Sequence, residues 1–372
     1  MPPEKILPCI RHDASVENPP LLLRGLDSLY VSFYLDMATS FLDWEQLSYL
    51  RERAQMERRG GITETMIGSE TFAVMPYGKH PYRYVLINKA FEVRLAEHNQ
   101  PNCHVRFSSE ALWREGAENL LSRLRSWFAS LAMLERRSER VGRADWAFDF
   151  HLPKVDFTED HFISRARKDA KHRDNGLDQT FRFGTTDIVV RVYDKCAEIE
   201  QQSGKTWFFQ LWGRADAVWR VEFQVRGARL KQGGIGSFDD LRAFEGDLLR
   251  ELATKHTTLR KPNGDSNRSR WPRHPLWNSV TEAIQTMPQT GLIREIDDLK
   301  PISYLLHHAG KSLYGNAKNA AMLLHYMSGR KVIPDLAFVL EELPGILEEH
   351  HSEALFLADV EQRIKKRDLG LS

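Results

Sequence analysis

The sequence predicts an α+β fold: a mostly antiparallel β-sheet with flanking helices, followed by an α-helical C-terminal region. Three observations carry this. Aromatic and β-branched runs recur between residues 28 and 225. Stretches with helical spacing of apolar residues interrupt these runs in clusters, without strict alternation. Beyond Gly236 only helical patterns remain.

The first 27 residues, with Pro2, Pro3, Pro19 and Pro20, read as an irregular arm. Ser28 to Leu35 is the first strand, and Trp44 to Arg58 has helical spacing until Gly60-Gly61 breaks it. Thr71–Met75, Tyr82–Asn88 and Phe91–Ala96 form a meander, separated by Pro76, Gly78, Pro81 and the Asn88-Lys89 turn. His104–Phe107 adds a strand. Ser109 with Glu110 then opens a long helix through about Leu134, whose Leu120, Leu121, Leu124, Trp127, Phe128 and Leu131 share a face.

From Gly142 the period becomes two. Asp145, Ala147, Asp149 and His151 fall on one strand face, and Trp146, Phe148 and Phe150 on the other. Strands follow at Gln179–Phe183 and Asp187–Tyr193, a helix near Ala197, and a strand at Val218–Val225. Helical patterns cover Phe238–His256, Leu276–Met287, Ser303–Tyr314, Lys318–Met327 and Ala337–Glu349. Between them lies a basic stretch with Arg260, Lys261, Arg268, Arg270 and Arg273 against Asp265 alone, broken by Pro262, Gly264 and Pro272. The expected organisation is therefore an arm (1–27), an α+β domain (28–255), a basic connector (256–274) and a helical domain (275–372).

Composition bounds the partners. A chain of 372 residues exceeds one ordinary core, and a hydrophobic fraction of 42% marks a folded protein. The 52 Lys+Arg against 51 Asp+Glu leave a net charge of +1, so a nucleic-acid partner requires basic residues gathered on one face. Three cysteines without CxxC spacing indicate neither a zinc site nor a disulfide framework, which suits a reducing, cytoplasmic compartment. No signal-like run and no stretch of about 18 apolar residues occurs, so no membrane partner is expected. Walker A, GxGxxG, GxSxG and HExxH motifs are absent.

The run Val190-Arg-Val-Tyr-Asp-Lys195 is the most informative stretch. Tyr193 is the candidate nucleophile, since a phenol attacking a phosphodiester conserves the bond energy in a phosphotyrosyl link; Arg191 or Lys195, each two residues away and on its face if the strand persists, would neutralise phosphate charge. Asp145 and Glu222, with Asp149 as a third, are hard oxygen donors suited to Mg²⁺ or Mn²⁺. The same carboxylates read equally well as ion-pair partners of Arg143, Arg220 or Arg226.

In their order along the chain, Arg143-Ala-Asp-Trp-Ala-Phe-Asp149, then Val190–Lys195, then Trp219-Arg-Val-Glu-Phe-Gln224 resemble the replication initiation factor family of rolling-circle plasmids and phages, the Rep-trans type, which includes relaxases of some integrative elements. The likeness spans roughly residues 26–231. It implies a mobile-element endonuclease that binds single-stranded or hairpin origin DNA, nicks one strand and stays joined to the 5′ phosphate. The free 3′ hydroxyl then primes synthesis. The nucleophile role falls on Tyr193 and the metal roles on Asp145, Glu222 and Asp149. The family's relatives with a His-hydrophobic-His metal motif are not matched.

Strand binding needs basic side chains beside stacking surfaces. Arg220, Arg226, Arg229 and Lys231, together with Arg268 and Arg270 of the connector, are the candidates, near Trp207, Phe208, Trp212 and Trp219. The C-terminal helices could recognise duplex DNA at the origin, recruit a host helicase or build a dimer interface, and a host polymerase is a further expected partner. A DNA-binding protein without catalysis, a conjugative relaxase, and a small-molecule enzyme using the same carboxylates stand as alternatives.

Overall fold

The computed structural model describes residues 18–56, 63–174, 177–289, 299–329, 333–348 and 351–368. Residues 1–17 of the expected arm lie outside these. The chain divides into two compact units, Met1–Arg294 and Glu295–Ser372. The architecture is α+β, with a large antiparallel sheet and helices predominating in the C-terminal region.

In the first unit the strands are β1 (Leu21–Asp36), β2 (Thr63–Ile67), β3 (Glu70–Val74), β4 (Tyr84–Ile87), β5 (Phe91–Leu95), β6 (Cys103–Phe107), β7 (Leu134–His151), β8 (Phe162–Ser164), β9 (Asp169–Asp174), β10 (Leu177–Phe183), β11 (Ile188–Asp194), β12 (Val218–Arg226) and β13 (Thr257–Leu259). Its helices are α1 (Trp44–Met56), α2 (Ser109–Glu115), α3 (Ala117–Ser130), α4 (Lys195–Glu198), α5 (Trp207–Trp212), α6 (Gly227–Gln232), α7 (Phe238–Glu251) and α8 (Pro275–Gln285). Eleven strands form one antiparallel sheet in the order β2-β3-β4-β5-β6-β1-β7-β12-β11-β10-β9, while β13 pairs with β8 apart from it. Short hairpins and meanders at each end allow this order, because antiparallel neighbours need no crossover helix.

Alternation along the central strands decides what each face carries. Trp146, Phe148 and Phe150 of β7 and Trp219, Val221 and Phe223 of β12 join the apolar core with Leu241, Leu248 and Leu249 of α7 and Trp277 of α8. Ser237 and Asp240 close a capping box that starts α7, and Trp146 Nε1 donates to Glu245 Oε2 of that helix at 2.9 Å. The opposite face of the same strands is polar yet also buried, which makes it the unusual surface of the molecule.

Several boundaries differ from expectation. β1 begins at Leu21, inside the stretch read as an arm, because Leu21–Leu26 pair with Phe150–Trp146 of β7. The single long helix expected from Ser109 is two, separated by Gly116 at φ 83, and Leu134 opens β7 instead of closing a helix. β2, β8, β9, β13, α5 and α6 have no counterpart in the sequence reading. The basic connector and α8 belong to the first unit: Trp277 is fully buried and its Nε1 donates to the Ala253 carbonyl at 2.8 Å. The boundary accordingly falls after Arg294, not within 256–274.

The second unit holds α9 (Leu299–Ser328), α10 (Leu336–Glu348) and α11 (Glu353–Asp368). α9 runs as one 30-residue helix through Gly310 and Gly315, where two helices were expected. Each interior glycine costs only about 1 kcal/mol relative to alanine, too little to end so long a helix. Among the described residues no helix is long and apolar enough to cross a membrane.

Two expected results arise from this framework. Gly184, between β10 and β11, has φ +94, and a Cβ there would collide with the Ile188 carbonyl oxygen. Gly184→Ala should therefore destabilise the first unit by about 2 kcal/mol or more, seen as a lowered denaturant midpoint. An unchanged midpoint would show that the hairpin can re-form around a side chain. His104 of β6 sits beside Ser32 Oγ, 2.9 Å from its Nδ1, and burial, with Arg94, pushes its pKa down to about 4. A depressed histidine contributes stability that is present above about 6.5 and is lost as pH falls through about 4. Unfolding followed from pH 7 to 4 should show this loss, and His104→Gln should reduce it.

Candidate active site

The polar face is set by register. Tyr193 of β11 stands opposite Arg220 of β12, which stands opposite Asp149 of β7; Arg191 stands opposite Glu222; Gln224 stands opposite Asp145. Period two therefore gathers Arg191, Tyr193, Arg220, Glu222, Gln224, Asp145 and Asp149 on one side of three adjacent strands. These residues separate into a part that borders a cavity and a part sealed beneath aromatic rings.

Tyr193 lies in the first part. Its hydroxyl donates to Glu222 Oε2 at 2.9 Å, and the other oxygen of Glu222 accepts from Arg191. The second guanidinium nitrogen of Arg191 donates to Gln224 Oε1 at 2.9 Å. Tyr193 is only 8% exposed, yet it lines a cavity of about 220 Å³ together with Arg191, Thr180, Gln179 and Gln202. Burial, and next the charge of Glu222, push the phenol well above its ordinary value of 10, while Arg220 opposes them. A phenol in this setting stays protonated near neutrality, so it could act as a nucleophile only beside a proton acceptor; Glu222 stands in contact with it.

Asp194 ends β11 immediately after Tyr193, and its carboxylate accepts from the Ala197 amide at 3.0 Å to cap α4. This corrects the expectation for Lys195. The strand does not persist to it. Lys195 is 2% exposed, its ammonium pairs with Glu198, and it lies 5.7 Å from the Tyr193 ring centre and 5.3 Å from that of Phe208. Burial, then Arg220, push its pKa down. It packs near the tyrosine ring and does not line the cavity; Arg191 does.

The sealed part contains Asp149 and Arg220, both fully buried. Arg220 grips Asp149 through Nε at 2.6 Å and Nη2 at 2.8 Å, and Trp212 Nε1 donates to the same carboxylate at 2.9 Å. Its third nitrogen donates to Asp27 Oδ1 at 3.0 Å, which also accepts from Trp113 Nε1 at 2.9 Å and Ser109 Oγ at 3.0 Å. The Phe208 ring centre lies 4.5 Å from the guanidinium. Burial pushes Asp27 up, but Arg220 followed by Lys205 and Lys195 outweigh it and hold the carboxyl well below the usual range. Arg220 is therefore a structural cation, not a phosphate contact, and Asp149 is its counter-ion, not a third metal ligand.

Asp145 and Glu222 remain. They are diagonal neighbours across the β7–β12 pairing, as hard oxygen donors around one cation would be. Asp145 accepts from Arg143 Nε at 2.8 Å, and burial, together with Glu222, pushes it up to about 6 despite that arginine. Two carboxylates on one face of adjacent strands are the hard oxygen donors a divalent ion would take, so Asp145 and Glu222 are suited to one, whereas Asp149 is held by Arg220 and Trp212. Among the described residues, no group of three or more His, Cys, Asp or Glu side chains is arranged to hold a metal.

Of the other expected DNA contacts, Arg226, Lys231, Arg268 and Arg270 are exposed. Arg229 is buried and its Nη2 donates to Glu251 Oε2 at 2.8 Å, which withdraws it from any strand. Arg268 donates to the Phe162 carbonyl at 2.7 Å, fastening the connector to β8. Phe208, Trp212 and Trp219 are core, whereas Trp207 is half-buried. The sequence reading missed Asp27 and Trp113, whose only local signal is a carboxylate and an indole among apolar neighbours. It also missed Gln179 and Gln202, which have none.

No family model and no curated protein matches this sequence. Among solved structures, the chain is similar to a rolling circle replication initiator protein from Geobacillus stearothermophilus, at 18% identity and a TM-score of 0.44, with 71% of this chain and 97% of that chain covered.

Proposed function

We propose that this protein is a rolling-circle replication initiator, a divalent-metal-assisted DNA strand-nicking and joining endonuclease whose nucleophile is Tyr193. The observation that carries the proposal is the Tyr193 hydroxyl held at 2.9 Å from Glu222 Oε2, at the wall of a polar cavity that also presents the Arg191 guanidinium. The order of motifs along β7, β11 and β12 supports it.

In this reading the phenolic oxygen attacks phosphorus and its proton passes to Glu222 Oε2. The Tyr193 Oη–P bond forms, the P–O3′ bond breaks, and the departing 3′ oxygen takes a proton from water to become a hydroxyl, leaving the phenol proton on Glu222 for the reverse step. The product is a 5′-phosphotyrosyl link that the same atoms can reverse. Arg191, already paired with the carboxylate that receives the proton, is placed to neutralise a phosphate oxygen as that pairing loosens. Asp145 and Glu222 would hold Mg²⁺ or Mn²⁺, which supplies Lewis-acid polarisation of the scissile phosphate when bound. Arg226 and Lys231, at the end of β12 and on α6, are assigned to the strand backbone, and Arg268 and Arg270 to phosphates farther off. The helical unit is assigned to partner contacts, with a host helicase, polymerase or second copy.

The test is incubation of the full chain with hairpin-bearing single-stranded DNA and Mg²⁺ or Mn²⁺. A denaturant-resistant protein–DNA adduct is expected. A mobility shift without an adduct would indicate a non-catalytic DNA-binding protein. Asp145→Ala should weaken the metal dependence of adduct formation; unaltered dependence would remove that residue from the metal site.

A further inference from the structure

The cavity beside Tyr193 has a lining that nicking chemistry alone does not require. Its lining side chains are polar or charged, with His172, Thr180, Asp194 and Glu198 as well as amide side chains at Gln179, Gln201 and Gln202. Such a wall offers paired donors and acceptors to a planar polar ligand.

Two local irregularities aim the amides there. On β10 the register with β9 shifts between Asp178 and Thr180, which leaves Gln179 without a partner and turns it to the same side as Thr180, itself opposite Tyr193. A bulge re-aims a side chain in this way. On the other wall, α4 continues as a π-helical turn over Ile199–Ser203, so that Gln201 and Gln202 both border the cavity. Wide turns of this kind are uncommon and concentrate at functional sites. The two walls derive from segments on either side of the nucleophile strand.

Resting on the nicking proposal, we infer that this cavity seats one unstacked base adjoining the scissile phosphate, and that Gln179 and Gln202 select it as adenine. A carboxamide presents a donor beside an acceptor. Adenine carries the complementary pair on its Hoogsteen edge through N6 and N7, and again on its Watson–Crick edge, so it can be read in either orientation. A backbone held by Arg191 and Tyr193 would place that base against the glutamines.

The test is covalent capture from a single-stranded DNA library with a randomised segment, using the full chain with Mn²⁺, followed by sequencing around the protein linkage. Wild type is expected to favour adenine at one position beside the linkage by about tenfold. The double variant Gln179→Ala/Gln202→Ala should level that position about tenfold, measured within its own adducts, while its preferences elsewhere persist. Gln202→Glu keeps the shape, removes the donor and should shift the preference toward cytosine. Unchanged adenine preference in the double variant, or no preference beside the linkage in wild type, overturns the inference. If wild type forms no adduct, the nicking proposal fails, and the cavity is judged by binding selection of the same library in EDTA. An adenine-containing motif that the double variant erases upholds the cavity's role; its absence overturns it.

Discussion

Tyr193→Phe should abolish covalent capture of single-stranded DNA, by about 10³-fold or more, while the protein stays folded. Phenylalanine retains the ring that packs over Lys195 and removes only the oxygen that would bond to phosphorus. Stability should fall by about 1 kcal/mol, because Glu222 loses one donor but keeps Arg191. Thermal unfolding and strand binding together separate this result from a collapsed site. Glu222→Gln supplies the companion measurement: it preserves shape but removes both the proton acceptor and a charged metal ligand, so adduct formation should fall with DNA binding retained. An adduct that persists in Tyr193→Phe would move the nucleophile to another residue and with it the whole assignment of the cavity.

The second large effect is on stability. Arg220→Ala leaves Asp149 and Asp27 facing one another beneath Trp212, Trp113 and Phe208 with no cation between them. Removing one partner of a buried pair costs about 3–5 kcal/mol, since the remaining charge stays desolvated and unpaired. Replacing both Arg220 and Asp149 by apolar residues of similar volume should recover part of that loss, and a double-mutant cycle in chemical denaturation measures the coupling. The result also distinguishes the buried geometry from a phosphate-contact role. A surface arginine on DNA would leave the unfolding midpoint almost unmoved and would lower the salt dependence of binding by about one unit of slope. Arg226→Ala is the appropriate comparison, because that side chain is exposed.

Part of this arrangement could be read directly from residue order. The two-residue period around Asp145, Asp149, Tyr193 and Glu222 is a local property, and it correctly placed them on strand faces. That these carboxylates pair with Arg143, Arg220 or Arg226 was likewise legible, since opposite charges on apolar strands must find one another; which pairs with which was not. Lys195 shows where local reading stops. Its distance from Tyr193 suggested a shared face, but Asp194 caps a helix there and turns the lysine under the ring.

Other features are decided only when distant segments meet. Asp27 looked like the end of an irregular arm; pairing of Leu21–Leu26 with β7 makes it part of a strand, and the register shift between Leu26 and Ser28 leaves it free to meet Arg220. Arg220 and Arg226 are indistinguishable as charges in a sequence, yet one is sealed by α5 and the other faces solvent. By itself, the sequence determined the strand periods, the chemistry of the side chains and their division into polar and apolar faces, because those follow from bonds between neighbouring residues. Only the tertiary structure decided which carboxylate is neutralised, which arginine is buried and where a cavity opens beside Tyr193, because burial and pairing are properties of segments separated along the chain.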